Sequence, residues 1–335
     1  MLKQSYRLAI LGATGAVGRE MLRVLEEVDF PIETLLPLAS KKSAGSTISF
    51  RGQDITVQEA TADSFAGMDF VLGAVGSGLA RQMAPAIVAA GAVFIDNSSA
   101  FRMDDSVPLV VPEINGADAF SHRGIIANPN CSTIISLMAI AGIAKLSPID
   151  NMVACTYQAV SGAGQGGLEE LDQQMHALAA GEPVVCRTFP RQIALNVIPQ
   201  ISETLDNGYT AEEMKMQNEG RKILHLPDLT VSCTCVRVPV MRSHSIAITL
   251  RTQSKVSVQQ AQDAIRNFPG CVLMEDGYPT PLDTSNQDLV WVGRIRDDLT
   301  SDRGLTLWCC GDQIRKGAAT NAVQILQFIA AGSNN

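Results

Sequence analysis

The chain has 335 residues, of which 46% are apolar and 18% are charged, and its net charge is −8. This length exceeds what one hydrophobic core usually organises, so we expect a soluble protein with two domains. The acidic balance argues against nucleic acid or an anionic membrane as a partner. No apolar run reaches the roughly eighteen residues that a membrane helix needs.

The N-terminus and the cysteines exclude further classes of protein. Lys3 and Arg7 precede an apolar run, as in a signal peptide, but glycines and Arg19 interrupt that run early. We therefore expect a mature chain in the cytoplasm. The eight cysteines have neither the density of a disulfide framework nor the spacing of a zinc site, so we expect no bound metal and place most of them in the core.

The first part of the chain alternates strand-like and helix-like segments. Short apolar runs predict strands, and apolar residues at helical spacing predict helices. The predicted strands are residues 7–11, 32–39, 70–74 and 92–96, and the predicted helices are residues 19–28 and 79–90. This alternation predicts an α/β fold with a Rossmann-type, doubly wound parallel sheet.

A second pattern begins near Asn130. An almost wholly apolar segment predicts a buried helix, with Ser132 or Thr133 near its N-cap, and a capping box opens a later helix at Thr210. The predicted helices are residues 132–145, 168–180, 210–224 and 316–331, and the predicted strands are residue range 151–160 and β-rich segments within 230–252. We expect an α+β domain with a largely antiparallel sheet over residues 131–312. Residues 1–130 form the first domain, and a helix within 313–335 packs back on it.

Gly12, Gly15 and Gly18 form a turn directly between the first strand and the first helix. Glycines there let the backbone approach a pyrophosphate, which faces the N–H groups of the helix. Such turns also occur without a ligand. The second strand ends in Ser40, Lys42 and Ser43 and lacks the carboxylate that would hold the ribose hydroxyls of NAD. This favours NADP, with an ordinary basic surface loop as the alternative.

Cys131 follows Pro129 and begins the apolar helix, where the helix dipole and free N–H groups stabilise a thiolate. It is a candidate nucleophile, although a cysteine at such a place is often only packed in the core. Of the four histidines, His244 lies between two strand-like runs. Arg237 has the opposite strand parity, and a bend at Pro239 would bring the two to one pocket. A lone histidine is more often structural.

Seven motifs follow one another in the order of a known family. They are Gly12-Ala-Thr-Gly-Ala-Val-Gly18, Leu38-Ala-Ser-Lys-Lys-Ser-Ala-Gly45, Asp96-Asn-Ser-Ser-Ala-Phe-Arg102, Asn128-Pro-Asn-Cys-Ser-Thr133, Tyr157-Gln-Ala-Val-Ser-Gly-Ala-Gly164, Asn218-Glu-Gly-Arg-Lys222 and Arg237-Val-Pro-Val through His244. With them the chain closely resembles the aspartate-semialdehyde dehydrogenases, NADP-dependent enzymes of the aspartate amino-acid pathway.

The resemblance implies a role for each residue of a site. Cys131 would be the nucleophile, His244 the general acid/base, and Gln158 would orient the intermediate. The implied substrate-binding residues are Arg237 for the carboxylate, Glu219 for the ammonium, and Lys222, Arg102 and Asn130 for phosphate. The implied cofactor-binding residues are Gly12, Thr14, Gly15, Ala16, Val17, Gly18, Ser40, Lys42, Ser43, Ser161, Gly162 and Gln313.

The implied reaction is the reversible reductive dephosphorylation of 4-phospho-L-aspartate to L-aspartate 4-semialdehyde and inorganic phosphate, with NADP as cofactor. It belongs to the biosynthesis of lysine, through diaminopimelate, and of threonine, methionine and isoleucine. The resemblance also implies a homodimer, with a homotetramer as the alternative, through the second domain. The alternatives in function are a catalytically silent NADP-binding paralogue and a reductase of the N-acetyl-glutamyl-phosphate type, in which an acetylated amine would leave Glu219 without an ammonium partner. A Cys–His acyl hydrolase leaves the glycine turn unexplained.

The chain departs from the family pattern at two positions. Gln313 stands where an asparagine is frequent, and Ser243 stands where a glycine often precedes the histidine. We expect Gln313 to reach its partner differently and Ser243 to restrict the bend before His244.

Overall fold

The structure is a computed structural model, and it describes residues 5–332. The strands are β1 (Tyr6–Leu11), β2 (Ile32–Ala39), β3 (Thr47–Phe50), β4 (Gln53–Thr56), β5 (Gln58–Glu59), β6 (Phe70–Gly73), β7 (Val93–Asp96), β8 (Ile125–Ala127), β9 (Ile149–Gln158), β10 (Thr230–Arg237), β11 (His244–Thr252), β12 (Cys271–Leu273), β13 (Val290–Asp297) and β14 (Gly304–Gly311). The helices are α1 (Ala16–Glu27), α2 (Ser77–Ala89), α3 (Pro112–Asn115), α4 (Cys131–Leu146), α5 (Gln165–Ala180), α6 (Ala211–Leu224), α7 (Val258–Arg266), α8 (Pro281–Thr284) and α9 (Thr320–Gly332). Across residues 5–332, no helix is long and apolar enough to cross a membrane.

The chain divides into two compact units. The first contains the described residues up to Asn130 together with those from Ala318 onward, and the second is Cys131–Gly317. The second boundary therefore follows Gly317 rather than residue 312.

The first unit is built on a parallel sheet with the strand order β5-β2-β1-β6-β7-β8. Alternate residues of β1 face opposite sides, so Leu8 and Ile10 pack with α1 and α9, whereas Ala9 and Leu11 pack with α2. Helices thus cover both faces, which is the doubly wound arrangement that the sequence predicts. The strand order reverses between β1 and β6, where such sheets bind ligands at the carboxyl ends of their strands.

The second unit has a mixed sheet with the order β10-β9-β11-β14-β13-β12. The β9/β11, β11/β14 and β14/β13 pairs are antiparallel, but β10 runs parallel to β9 and β12 runs parallel to β13. The sheet is thus largely antiparallel, as expected, with a parallel strand at each edge. β10 follows a long connection through α5 and α6, and such a connection allows it to enter the sheet beside β9 in the same direction.

The buried helix α4 packs on this sheet together with α6 and α7. α4 begins at Cys131, so Ser132 and Thr133 lie in its first turn, near the N-cap as the sequence predicts. The helix predicted over residues 316–331, which belongs almost wholly to the first unit, begins later than expected. A π-helical turn over Arg315–Ala319 precedes α9.

Candidate active site

The glycine turn after β1 is shaped for close approach. Gly12 has a φ of +92°, and a Cβ placed on it would lie 2.4 Å from the carbonyl oxygen of Ala74. A Cβ on Gly18 would lie 2.3 Å from the carbonyl oxygen of Gly12. Only glycine fits at these two positions, so α1 can begin directly over the turn with its N–H groups facing outward.

A cavity of about 500 Å³ opens over this turn, at the carboxyl ends of β1, β2 and β6. Of the predicted cofactor residues, Gly12, Thr14, Gly15 and Ser40 line it, and so does Lys41, which the sequence analysis did not single out. The glycine cradle and the neighbouring cation fit the pyrophosphate and phosphate groups of a nicotinamide dinucleotide.

The other predicted cofactor residues lie in three places. Ala16, Val17 and Gly18 form the first turn of α1. Lys42 and Ser43 belong to the turn after Ser40, in which the N–H of Ser43 donates to the carbonyl of Ser40. Ser161, Gly162 and Gln313 belong to the second unit, where the side-chain amide of Gln313 donates to the hydroxyl of Ser161.

Three predicted site residues meet at one edge of the second sheet. β9 ends at Gln158 and its parallel neighbour β10 ends at Arg237, in register with Gln158. β11 runs antiparallel to β9 on the other side and begins at His244. The carboxyl ends of two strands and the amino end of a third therefore lie at the same edge, and the chain bends between Arg237 and His244, as the sequence predicts.

Cys131 contacts this group from the N-terminus of α4. Its Sγ lies 3.5 Å from Nε2 of His244, and the helix N-terminus favours the thiolate form. The backbone N–H of Ala159 donates to Nδ1 of His244 over 3.1 Å. In the neutral ring, the proton therefore lies on Nε2, the nitrogen that faces the sulfur.

Burial and the neighbouring Arg237 guanidinium lower the pKa of His244 to about 3. The imidazole is fully buried, so water cannot stabilise an added charge. The ring is therefore neutral in this arrangement at physiological pH, and it presents an N–H donor to the thiol group.

Arg237 is also buried, and its Nη1 donates to the carbonyl of Ala159 over 2.7 Å. Burial lowers the pKa of this guanidinium below its usual value. Gly162 leaves room for the side chain, because a Cβ there would lie 2.6 Å from Nη1 of Arg237 and 3.3 Å from Nε2 of His244. The backbone at Gly162 thus packs directly against the Arg237 guanidinium and the His244 imidazole.

The remaining predicted residues divide between the units. Glu219 lies on the buried face of α6, and Lys222 is half-buried one turn further along. Arg102 and Asn130 belong to the first unit, and both are buried. Arg102 donates from Nε to the carbonyl of Asn128 over 2.9 Å and from Nη2 to that of Asn97 over 2.7 Å. Two of its donors are thus engaged by the backbone.

The sequence analysis missed Glu212 and Gly317. Nε2 of Gln158 donates to Oε1 of Glu212 over 3.3 Å. A Cβ on Gly317 would lie 2.9 Å from the Cβ of Cys131. One signal was available: Glu212 lies seven residues before Glu219, which places both on one face of the predicted helix. Nothing in the sequence brings Gly317 to Cys131.

Within residues 5–332, no three His, Cys, Asp or Glu side chains are grouped so that they could hold a metal ion. The other three histidines lie elsewhere. Nδ1 of His122 accepts from the N–H of Gly124, His176 is exposed on α5, and His225 caps the end of α6 with a φ of 54°.

One unit carries a nucleotide cradle, and the other carries a half-buried cysteine beside a buried histidine and a buried arginine. This combination is that of a dinucleotide-dependent dehydrogenase. Comparison with known families agrees with this class. The family described as "Semialdehyde dehydrogenase, NAD binding domain" matches residues 7–122, and "Semialdehyde dehydrogenase, dimerisation domain" matches residues 140–316.

Similar proteins identify the family more closely. The chain is 45% identical to the aspartate-semialdehyde dehydrogenase of Bacillus subtilis, covering 96% of each, and 47% identical to that of Synechocystis, covering 96% of this chain and 97% of the relative. A crystal structure of aspartate semialdehyde dehydrogenase II from Vibrio cholerae, complexed with ASA, matches with a TM-score of 0.97 and 43% identity, covering 98% of this chain and 99% of that one. The chain belongs to the aspartate-semialdehyde dehydrogenase family.

Proposed function

We propose that this protein catalyses the reversible conversion of L-aspartate 4-semialdehyde, phosphate and NADP to 4-phospho-L-aspartate and NADPH. The observation that carries the proposal is the position of the Cys131 thiol at the N-terminus of α4, 3.5 Å from Nε2 of His244. The silent-paralogue alternative is not favoured, because Cys131, Arg237 and His244 are all present and gathered in one unit.

In the reductive direction, the sulfur of Cys131 attacks the acyl carbon of the phosphorylated substrate. The bond between that carbon and the phosphate oxygen breaks, phosphate leaves, and a thioester remains on the enzyme. Dividing the reaction into two steps lowers each barrier. The bound nicotinamide supplies the hydride that reduces this thioester. The resulting thiohemiacetal collapses, which releases the aldehyde and the thiol.

His244 is placed to exchange a proton during these steps. Its Nε2 faces the sulfur and therefore also faces the oxygen of any acyl group bound to that sulfur. A histidine in such a position contributes roughly 10²–10⁴-fold to the rate. The side-chain amide of Gln158 lies 3.4 Å from the same nitrogen and orients the intermediate.

Charged residues of the second unit recognise the ends of the substrate. Arg237 offers a planar pair of donors that suits the α-carboxylate, and the buried Glu219 suits the ammonium. We assign phosphate to Lys222, Arg102 and Asn130. These few side chains explain how a chain with a net charge of −8 binds anionic substrates.

The decisive assay measures NADPH formation at 340 nm, the usual wavelength of reduced nicotinamide. We expect formation from aspartate semialdehyde and NADP that depends on added phosphate, and at least about 100-fold slower turnover of N-acetylglutamate semialdehyde, because its acetylated amine leaves the buried Glu219 unpaired. Folded protein that is inactive on both substrates would instead support the silent paralogue.

We propose NADP rather than NAD as the preferred cofactor, because Ser40 and Lys41 line the cavity at the end of β2 and Lys42 follows them. Replacing both Lys41 and Lys42 with alanine should raise the KM for NADPH by about tenfold or more, since two positive charges at the end of β2 are lost, and should change the KM for NADH little. Single variants separate the two lysines. An equal rise for both cofactors would contradict the assignment.

We propose that the protein works in the cytoplasm as a homodimer, with a homotetramer as the alternative. The supporting feature is the face of the second sheet opposite α4, α6 and α7. There Val153 and Tyr157 of β9 are exposed apolar residues, and the ring of Tyr157 lies 5.5 Å from that of Trp308. An exposed apolar sheet face of this kind is typical of a surface that a second copy covers.

A further inference from the structure

Glu212 is a buried carboxylate that the proposed mechanism does not use. It lies in the first turn of α6, and its side chain is only 8% exposed. Its Oε2 accepts from Nζ of Lys215 over 2.7 Å, and its Oε1 accepts from Nε2 of Gln158 over 3.3 Å. A buried carboxylate is costly unless it is paired and hydrogen-bonded, so the ion pair with Lys215 stabilises it in contact with Gln158.

The other end of the Gln158 carboxamide contacts Thr156. The hydroxyl of Thr156 donates to Oε1 of Gln158 over 3.1 Å. A hydroxyl can donate or accept, so Thr156 would tolerate the carboxamide in either of its two flipped orientations. A carboxylate can only accept. Of these two contacts, Glu212 alone distinguishes the amide nitrogen from the amide oxygen.

The orientation matters because of what lies on the other side of the amide group. Nε2 of Gln158 lies 3.4 Å from Nε2 of His244, which in turn lies 3.5 Å from Sγ of Cys131. Because Nε2 of His244 carries the ring proton, this contact by itself would favour the amide oxygen, so the Glu212 carboxylate is what holds the amide nitrogen on this side. With the nitrogen on this side, Gln158 offers donors toward the developing negative charge on sulfur or acyl oxygen. A flipped carboxamide would present its oxygen there and repel that charge.

We propose that Glu212, anchored by Lys215, is a positioning residue that holds the amide nitrogen of Gln158 toward the reacting atoms. The inference rests on the proposed function, since it assigns a task to the same site. Glu212 acts through Gln158, whose amide nitrogen donates to its carboxylate.

The test replaces the carboxylate with a group of the same shape that no longer fixes the orientation. In Glu212→Gln we expect kcat to fall roughly tenfold to 100-fold, while the KM for aspartate semialdehyde stays within about twofold, because binding residues are untouched. Glu213→Gln is the matched control. It makes the same charge change in the same helical turn, but Glu213 caps Thr210 and accepts from the N–H of Cys235. Its kcat should stay within about twofold of the wild type.

A double-mutant cycle distinguishes positioning from general damage. In a Gln158→Ala background, Glu212→Gln should cause no further loss of kcat, because the side chain through which Glu212 acts is gone. Losses that multiply in the double variant would overturn the proposal. Lys215→Met is a second single variant, which frees Oε2 and should lower kcat less than Glu212→Gln does.

Wild-type protein in the same assay distinguishes a failure of the positioning role from a failure of the proposed function. If the wild-type protein is active and folded Glu212→Gln or Lys215→Met has the same kcat as the wild type, only the positioning role is overturned. Inactive wild-type protein overturns the proposed function and this inference with it. Melting temperatures of all variants are measured alongside, so that a loss of folded protein is not counted as a loss of kcat.

Discussion

Cys131→Ser should lower semialdehyde oxidation by about 10⁴-fold, because the thiol is the proposed point of covalent attachment. A serine hydroxyl is a far weaker nucleophile than a thiolate at neutral pH, and the neutral His244 ring presents an N–H rather than a free base. Dinucleotide binding, measured by calorimetry, should not change, since the glycine cradle lies in the other unit.

Mass spectrometry adds a direct test of the covalent step. Wild-type protein incubated with aspartate semialdehyde and NADP, without phosphate, should gain the mass of one acyl group, and Cys131→Ser should gain none. Cys186→Ser is the control, because this exposed thiol lies outside the site. A Cys131→Ser variant that keeps more than roughly 1% of wild-type activity would contradict the assignment of the nucleophile.

Gly317→Ala should damage both catalysis and stability, although position 317 carries no reacting group. The added Cβ would lie 2.9 Å from the Cβ of Cys131 and 3.3 Å from its Cα. The segment cannot easily retreat. Asp312, fully buried, accepts the N–H of Ile314 and pairs with Arg242, and the N–H of Gly317 itself donates to the carbonyl of Asp312.

We therefore expect the nucleophile to shift, with kcat falling about tenfold to 100-fold and a loss of about 1–3 kcal/mol in the free energy of unfolding. Steady-state kinetics, urea unfolding and the rate of Cys131 alkylation measure these effects. Gly78→Ala on α2 is the control, because its Cβ meets nothing within 4 Å. It should leave kcat unchanged and stabilise the protein by about 0.5–1 kcal/mol. Wild-type kcat and alkylation in Gly317→Ala would refute the packing argument.

The first sheet was predictable because the sequence signals for its strands and helices are local. Apolar runs, helical spacing and the glycines that adjoin β1 each act within a few residues. The second sheet was predicted less well, since strand orientation leaves no local trace. A period of two looks the same in a parallel and an antiparallel strand, and nothing in residues 230–252 reveals that β10 pairs with the distant β9 rather than with β11.

The site shows the same limit. The break between two strand-like runs before His244 is confirmed, but the neighbours of these strands are not predictable from it: β10 and β11 lie on either side of β9. Glu212 was missed because its neighbour Glu213 belongs to the capping box. Two acidic residues in the first turn of a helix are common, so this pair offered no reason to single out Glu212. The neighbours of β10 and β11 and the contact of Glu212 with Gln158 both depend on segments that are distant in the sequence. The roles of the site residues came from the family resemblance and not from their spacing.

The two departures from the family pattern meet each other in the structure. Oε1 of Gln313 accepts the backbone N–H of Ser243 over 2.8 Å, and Ser243 has a φ of 72°, a region that favours glycine. The serine adopts this conformation directly before His244, so the chain bends there although the residue is not glycine. The glutamine side chain satisfies the backbone donor at this turn.

Because side chains alternate along strand β9, the residues of the site and those of the exposed sheet face lie on opposite sides of the same strand. Gln158 and Thr156 point to the buried side, whereas Tyr157 and Val153 point to the open face. Substitutions on the open face can therefore accumulate without altering the side chains that surround the thiol. Under the proposed dimer, a change in how two copies pack on this face leaves the chemistry intact, provided that the backbone of this one strand keeps its register.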